Sequence, residues 1–113
     1  MKIPLKIGTG RYRLLDADEI FFIESDREGS FVRTARKRRS RSPRRLAVWE
    51  KDLRASGFVR IHRSYLVNLD RVREVRHRGD DPNDWEIKLE PPVNLILPVG
   101  RQFVASLRKV VGL

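Results

Sequence analysis

Two guanidiniums, an imidazole and a hydroxyl fall within five consecutive positions, at Arg60, His62, Arg63 and Ser64. They interrupt an otherwise apolar run of Phe58, Val59, Ile61, Leu66, Val67 and Leu69. A buried strand has no use for such groups, because taking them out of water without partners costs on the order of several kcal/mol. They point to something outside the fold. His62 and Ser64, at i and i+2 and so on one side of an expected strand, invite a hydrolytic reading. A triad needs an acid that orients the imidazole, and a glycine-bounded elbow would present the nucleophile; neither stands beside them. No catalytic residue is assigned. The arginines instead offer planar forks of hydrogen-bond donors that stay charged at any physiological pH.

Other candidate chemistry is weaker. Asp80, Asp81, Asp84 and Glu86 carry oxygen ligands, but their spacing fails the EF-hand loop, which needs its glycine at a fixed place after alternating ligands. A hairpin turn is expected there instead. Gly8-Thr9-Gly10-Arg11 lacks the third glycine and the following helix of a dinucleotide site. The chain has no cysteine, which excludes disulfides, thiolate chemistry and Cys-based zinc. No metal and no cofactor is expected.

Net charge is +10, and eight of the 25 lysines and arginines (Arg33, Arg36, Lys37, Arg38, Arg39, Arg41, Arg44 and Arg45) lie between positions 33 and 45 with no acid among them. The other 17 nearly cancel the 15 acids. Such a run is either a solvated loop or the footprint of a polyanion, bound through counterion release when that partner is nucleic acid. Charge alone leaves both open.

The elements that must position these groups follow from spacing. At 113 residues, 40% hydrophobic and 35% charged, the chain is expected to form one domain over residues 1–113 with a modest core. No apolar run approaches the roughly 18 residues of a membrane helix, and the N-terminus has no signal-peptide core, so a cytoplasmic protein without a membrane segment is expected. Ile3, Leu5 and Ile7 alternate with polar residues and Pro4, and Gly8-Thr9-Gly10 leads to Tyr12 and Leu14, which predicts a hairpin with Pro4 on an edge strand. Strands are expected over residues 20–24 and 31–36, joined by the polar turn 26–30. Residues 37–43 bring no aliphatic or aromatic side chain and are expected to project as a loop. Leu46, Trp49 and Leu53 share one face of a helix that Gly57 would stop. After the central run, valines three apart at Val72 and Val75 predict a bulged strand. Trp85, Ile87 and Leu89 alternate, Pro91-Pro92 breaks the pattern, and Val93, Leu95, Leu97 and Val99 resume it. The stripe Phe103, Val104, Leu107, Val110 and Val111 predicts a closing helix.

The central residues carry a resemblance. Arg60-Ile61-His62-Arg63-Ser64-Tyr65-Leu66-Val67-Asn68-Leu69 fills every place of the signature of the LytTR family, bacterial DNA-binding domains found at the C-terminal end of response regulators. Asp18-Glu19-Ile20-Phe21-Phe22-Ile23-Glu24-Ser25 is similar to the family's opening segment, Val48-Trp49-Glu50-Lys51-Asp52-Leu53 stands at its central helix, and Leu97-Pro98-Val99-Gly100-Arg101-Gln102-Phe103 resembles its closing motif, with Gly100 where a serine is usual. The resemblance implies a mainly β fold of elongated stacked antiparallel sheets, with a short central helix and a C-terminal helix. It also implies base contacts from Ser30, Arg63 and Arg101, with Arg60, Ser64 and Gln102 as candidates for phosphate contacts that set register without reading sequence. His62 and Asn68 are expected to hold the motif through internal hydrogen bonds. The basic run, more cationic than the family pattern requires, would put Arg36, Lys37, Arg38, Arg39 and Arg41 against phosphates or in a narrow minor groove, or would only raise non-specific affinity.

The function expected on these grounds is sequence-specific binding of double-stranded DNA in bacterial transcriptional regulation, on paired direct repeats, with a dimer assembling on DNA. A receiver or sensor domain outside this chain is the expected source of control. The alternatives are an RNA-binding β-domain, for which no exposed aromatic pair on a strand is identifiable, and a basic module that docks an acidic protein.

Overall fold

The computed structural model describes residues 2–36 and 39–113. Ten strands and two helices occur among them: β1 (Lys2–Gly8), β2 (Arg11–Asp16), β3 (Phe22–Asp26), β4 (Gly29–Arg33), β5 (Ser40–Ser42), α1 (Leu46–Leu53), β6 (Phe58–His62), β7 (Tyr65–Asn68), β8 (Val72–His77), β9 (Trp85–Leu89), β10 (Ile96–Val99) and α2 (Val104–Val111). All pairings are antiparallel. They form three sheets: the hairpin β1-β2, the five-stranded sheet β5-β4-β3-β7-β6, and the three-stranded sheet β10-β9-β8.

The five-stranded sheet lies between two cores. Successive residues on a strand face opposite ways, so β3 sends Ile23 to one side and Phe22 to the other, and β7 sends Leu66 and Val67 likewise. On the first side Ile23 and Leu66 meet Ile3, Leu5 and Leu15 of the hairpin together with Leu46, Trp49 and Leu53 of α1. On the second, Phe22, Val67 and Ile61 meet Ile87, Leu89, Leu97 and Val99 of the three-stranded sheet and Val104 and Leu107 of α2. Each fully buried large side chain contributes about 1.5–3 kcal/mol of transfer free energy. The stack is elongated, 50 × 26 × 24 Å, and the expected mainly β architecture with a central and a C-terminal helix is what the chain adopts.

Local rules explain most boundaries. Leu46, Trp49 and Leu53 are the buried residues of α1, and after a 3-10 turn at Arg54–Ser56 the chain leaves through Gly57 at φ 84. The valine spacing resolves as a bulge: the β8–β9 register shifts between Val72 and Glu74, which keeps Val72 and Val75 both against the second core.

Five expectations need correction. Ile20 follows a 3-10 turn at Ala17–Glu19, so β3 starts at Phe22 rather than at position 20, and β4 runs over Gly29–Arg33 rather than 31–36. His62 ends β6 whereas Ser64 lies in the following turn, so the two do not share a strand. The turn at residues 91–93 and irregular chain at 94–95, with Asn94 at φ 52, stand in place of the strand start, and β10 begins only at Ile96. The basic segment is no mere loop: Ser40–Ser42 pair with β4 as an edge strand. Gly29 allows this, since a Cβ there would collide with the Ser42 carbonyl oxygen.

Candidate nucleic-acid interface

The turn between β6 and β7 is built by Arg60. Its Nε donates to the His62 carbonyl at 2.8 Å, Nη1 to Glu50 Oε1 at 2.9 Å, and Nη2 to the Arg63 carbonyl. With its side chain only 20% exposed and its donors used inside the chain, Arg60 braces the turn; the expected phosphate contact from it is replaced by this structural role. His62 braces it from the other side. Its Nδ1 accepts from the Ser64 backbone N–H at 3.0 Å, and burial, then the charges of Arg63 and Arg60, hold its pKa below the usual histidine value. The lone pair that a general base would need for the Ser64 hydroxyl is therefore spent on the backbone.

Arg63, at the tip, is exposed, and its guanidinium makes no hydrogen bond or ion pair among the described residues. Arg101 reaches the same edge by another route. The Gly100 N–H donates to the Ile61 carbonyl at 2.8 Å, and a Cβ on Gly100 would lie 3.5 Å from the His62 Cα, so the end of β10 is stitched to the end of β6. Arg101 follows in a 3-10 turn at Arg101–Phe103. Its side chain is 74% exposed, and its ion pair with Asp81 is long, at 3.5 Å. Gln102 beside it is exposed and Ser64 half-buried. The edge thus presents two loosely held guanidiniums, an amide and a hydroxyl.

The third expected base contact is not on this surface. Ser30 is 0% exposed; its hydroxyl donates to the Arg44 carbonyl at 2.7 Å and accepts from Trp49 Nε1 at 2.9 Å. Burial and two internal bonds remove it from the residues that can touch a base, a correction to the sequence expectation. The residue at the tip of its hairpin is Arg27, exposed and at φ 47. Because Ser25 N–H donates to the Ser64 carbonyl at 2.9 Å, the β3–β4 turn lies on the same edge as Arg63. In the sequence Arg27 is marked only as a lone arginine between two acids in a polar turn.

The basic run divides. Lys37 and Arg38 lie outside the described residues. Arg36 stands past the far end of β4, away from Arg63 and Arg101, and the geometry does not bring it to their edge. Arg39 and Arg41 flank the ring of Phe31, at 4.3 and 5.8 Å from its centroid, and pair with Glu24 at 3.1 Å and with Asp26 respectively. These acids, missed in the sequence, neutralise the two arginines in the free protein. Asn68 takes the internal role expected of it: Nδ2 donates to the Ile20 carbonyl at 3.0 Å, and Oδ1 accepts from Asp70 N–H at 3.1 Å. Among the described residues no helix is long and apolar enough to cross a membrane.

Known proteins share this arrangement. A LytTr DNA-binding domain of a response regulator from Bacillus cereus superposes with a TM-score of 0.81 over 99% of this chain and 97% of its own, at 19% identity, a likeness of fold. The CO-responsive transcriptional regulator RcoM of Rhodospirillum rubrum is 31% identical over 112 residues, which is 99% of this chain and 45% of that protein. The transcriptional regulatory protein BtsR of Salmonella typhi is 28% identical over 106 residues, 94% of this chain and 41% of that protein. The chain thus spans less than half the length of these curated relatives. The family pattern of the LytTr DNA-binding domain matches residues 10–112, and the chain accordingly belongs to the LytTr DNA-binding domain family.

Proposed function

We propose that the chain reads double-stranded DNA by sequence through the edge formed by the β6–β7 turn and the end of β10. Arg63 and Arg101 are the base-reading residues, each suited to a paired hydrogen bond with guanine O6 and N7 in the major groove, worth about 1–3 kcal/mol of discrimination. Ser64 and Gln102 set the register on phosphates, and Arg39 and Arg41 add phosphate contacts after leaving Glu24 and Asp26. The observation that carries this is the Gly100–Ile61 hydrogen bond at 2.8 Å. It brings two arginines distant in sequence to one edge, and neither is fixed there by strong internal bonds.

The protein is further proposed to act in the bacterial cytoplasm as a single domain, to catalyse no reaction, and to be controlled by a receiver or sensor domain beyond this chain. It would occupy paired direct repeats, with a dimer assembling on DNA. Fluorescence anisotropy at near-physiological salt, with labelled duplex and with duplex, single-stranded and RNA competitors, tests the reading. Displacement by duplex of one sequence and not by scrambled duplex supports it. Equal displacement by scrambled duplex, by single strands or by RNA contradicts it.

A further inference from the structure

We propose that a second binding site, for a small oxyanion carried on a flat apolar body, occupies the cleft at the opposite end of the strands from Arg63 and Arg101. The cleft measures about 270 Å³, and Arg13, Arg36 and Arg71 line it together with Phe21, Pro91 and Pro92. Chain direction places it there. Arg36 follows β4, Arg71 follows β7, and Pro91 and Pro92 follow β9, each at the strand end away from the β6–β7 turn.

The guanidiniums differ in how they are held. Arg71 is anchored: Nη1 donates to Glu90 Oε1 at 2.7 Å, Nε and Nη2 donate to the Asp18 carbonyl at 2.9 and 2.6 Å, and the group lies 5.0 Å from the Phe21 ring centroid. It forms a rigid rim. Arg13 and Arg36 have no carboxylate partner among the described residues, and Arg13 Nε is buried without any acceptor. A buried donor left unpaired is an exception in folded proteins and asks for a partner. Glu19, the one acid on the wall, already accepts from the Asp16 N–H at 2.7 Å.

A guanidinium fork matches the paired oxygens of a phosphate or carboxylate. The two exposed prolines supply apolar surface beside it, over a Phe21 ring that is itself buried, and the volume lies just below the roughly 300–1,000 Å³ usual for ligand pockets, which fits one ring and one anionic group. The ligand class is therefore an aryl or cyclic phosphate or carboxylate. Nothing in the duplex-reading edge is used, so this site stands or falls independently of it.

The test is a titration of the chain with phenyl phosphate, benzoate, inorganic phosphate and phenol, followed by backbone-amide NMR and by the melting temperature. A saturable response to phenyl phosphate or benzoate is expected at the roughly millimolar level that one charged fork and one ring support. It should move the amides near Arg13, Arg36 and Arg71, raise the melting temperature, and be weaker by about 10-fold, near 1.4 kcal/mol, for phenol or inorganic phosphate. Which of the two aryl anions binds more tightly separates a phosphate ligand from a carboxylate one. Arg13→Gln should abolish the response while duplex affinity stays unchanged, and Arg36→Gln should weaken it; the second variant decides if the first fails to fold. Absence of saturation, an undiminished response in the folded variants, equal binding of inorganic phosphate, or displacement of the probe by duplex DNA would each overturn the proposal.

Discussion

The Gly100 N–H and the Ile61 carbonyl oxygen are 2.8 Å apart, and this one backbone bond joins the three-stranded sheet to the end of the strand that carries Arg63. The two arginines assigned to base reading sit two residues beyond one partner and one residue beyond the other. The main-chain positions from which they reach out are therefore set by backbone pairing.

Gly100 has little room. A Cβ would stand 3.1 Å from Phe103 Cδ2 and 3.6 Å from His62 Cδ2, so a branched side chain would push the end of β10 off β6. Gly100→Val is expected to destabilise the fold by about 1–3 kcal/mol, the usual cost of overpacking, and to weaken specific duplex binding more than Arg101→Ala does. Thermal denaturation with a binding titration checks this; a variant of unchanged stability and affinity would contradict the stitch.

Ser30→Ala should behave as a core lesion. It strands the Trp49 indole N–H and removes a donor from the Arg44 carbonyl, so a loss of about 1–3 kcal/mol is expected. The preferred DNA sequence should stay the same, as measured by selection from a random duplex library with the folded variant. A stable protein with altered preference would restore Ser30 to the reading surface.

His62 makes the turn sensitive to acid. Its pKa in the fold lies below the ordinary 6.5, so the unfolded chain takes up the proton first. The associated stability is fully present above about pH 6.5 and is lost as pH falls through the folded value. Protonation also places a hydrogen on Nδ1, where the Ser64 N–H is bound. An imidazole NMR titration should report the lowered value, with the melting temperature falling over the same interval and less so in His62→Asn. Titration above 6.5 would refute the assignment.

Glu24 and Asp26 restrain the arginines next to them. Replacing them as Glu24→Gln and Asp26→Asn should raise duplex affinity several-fold and steepen its salt dependence, because freed guanidiniums release up to about one counterion per phosphate contact. Affinity measured across a salt series decides the point, and an unchanged slope would mean Arg39 and Arg41 stay on Phe31.

Much of this was legible in the chain itself. The ten-position motif, the α1 stripe of Leu46, Trp49 and Leu53, and the bulge marked by Val72 and Val75 all rest on local spacing, which survives folding unchanged. What escaped depends on contacts between distant segments. Ser30 is buried by a tryptophan on a helix that follows an intervening strand, and nothing beside Ser30 announces it. Ser40–Ser42 form a strand without any apolar residue because β4 offers an open edge and Phe31 a ring for arginines to cover. Arg60 looked like a ligand because its acceptors, two carbonyls and Glu50, meet it only once the turn and α1 are in place. The same holds for Arg36, whose position past the end of β4 takes it away from the reading edge.

The central claim is that Arg63 and Arg101 read bases. The direct measurement is selection of bound duplexes from a random library at near-physiological salt, run in parallel with the native chain, Arg63→Ala and Arg101→Ala. The native chain should enrich a short motif containing guanines, and each variant should lose preference at its own position, by about 1–3 kcal/mol, while retaining the rest. Recovery of the same motif by all three proteins, or of none by the native chain, would contradict the account.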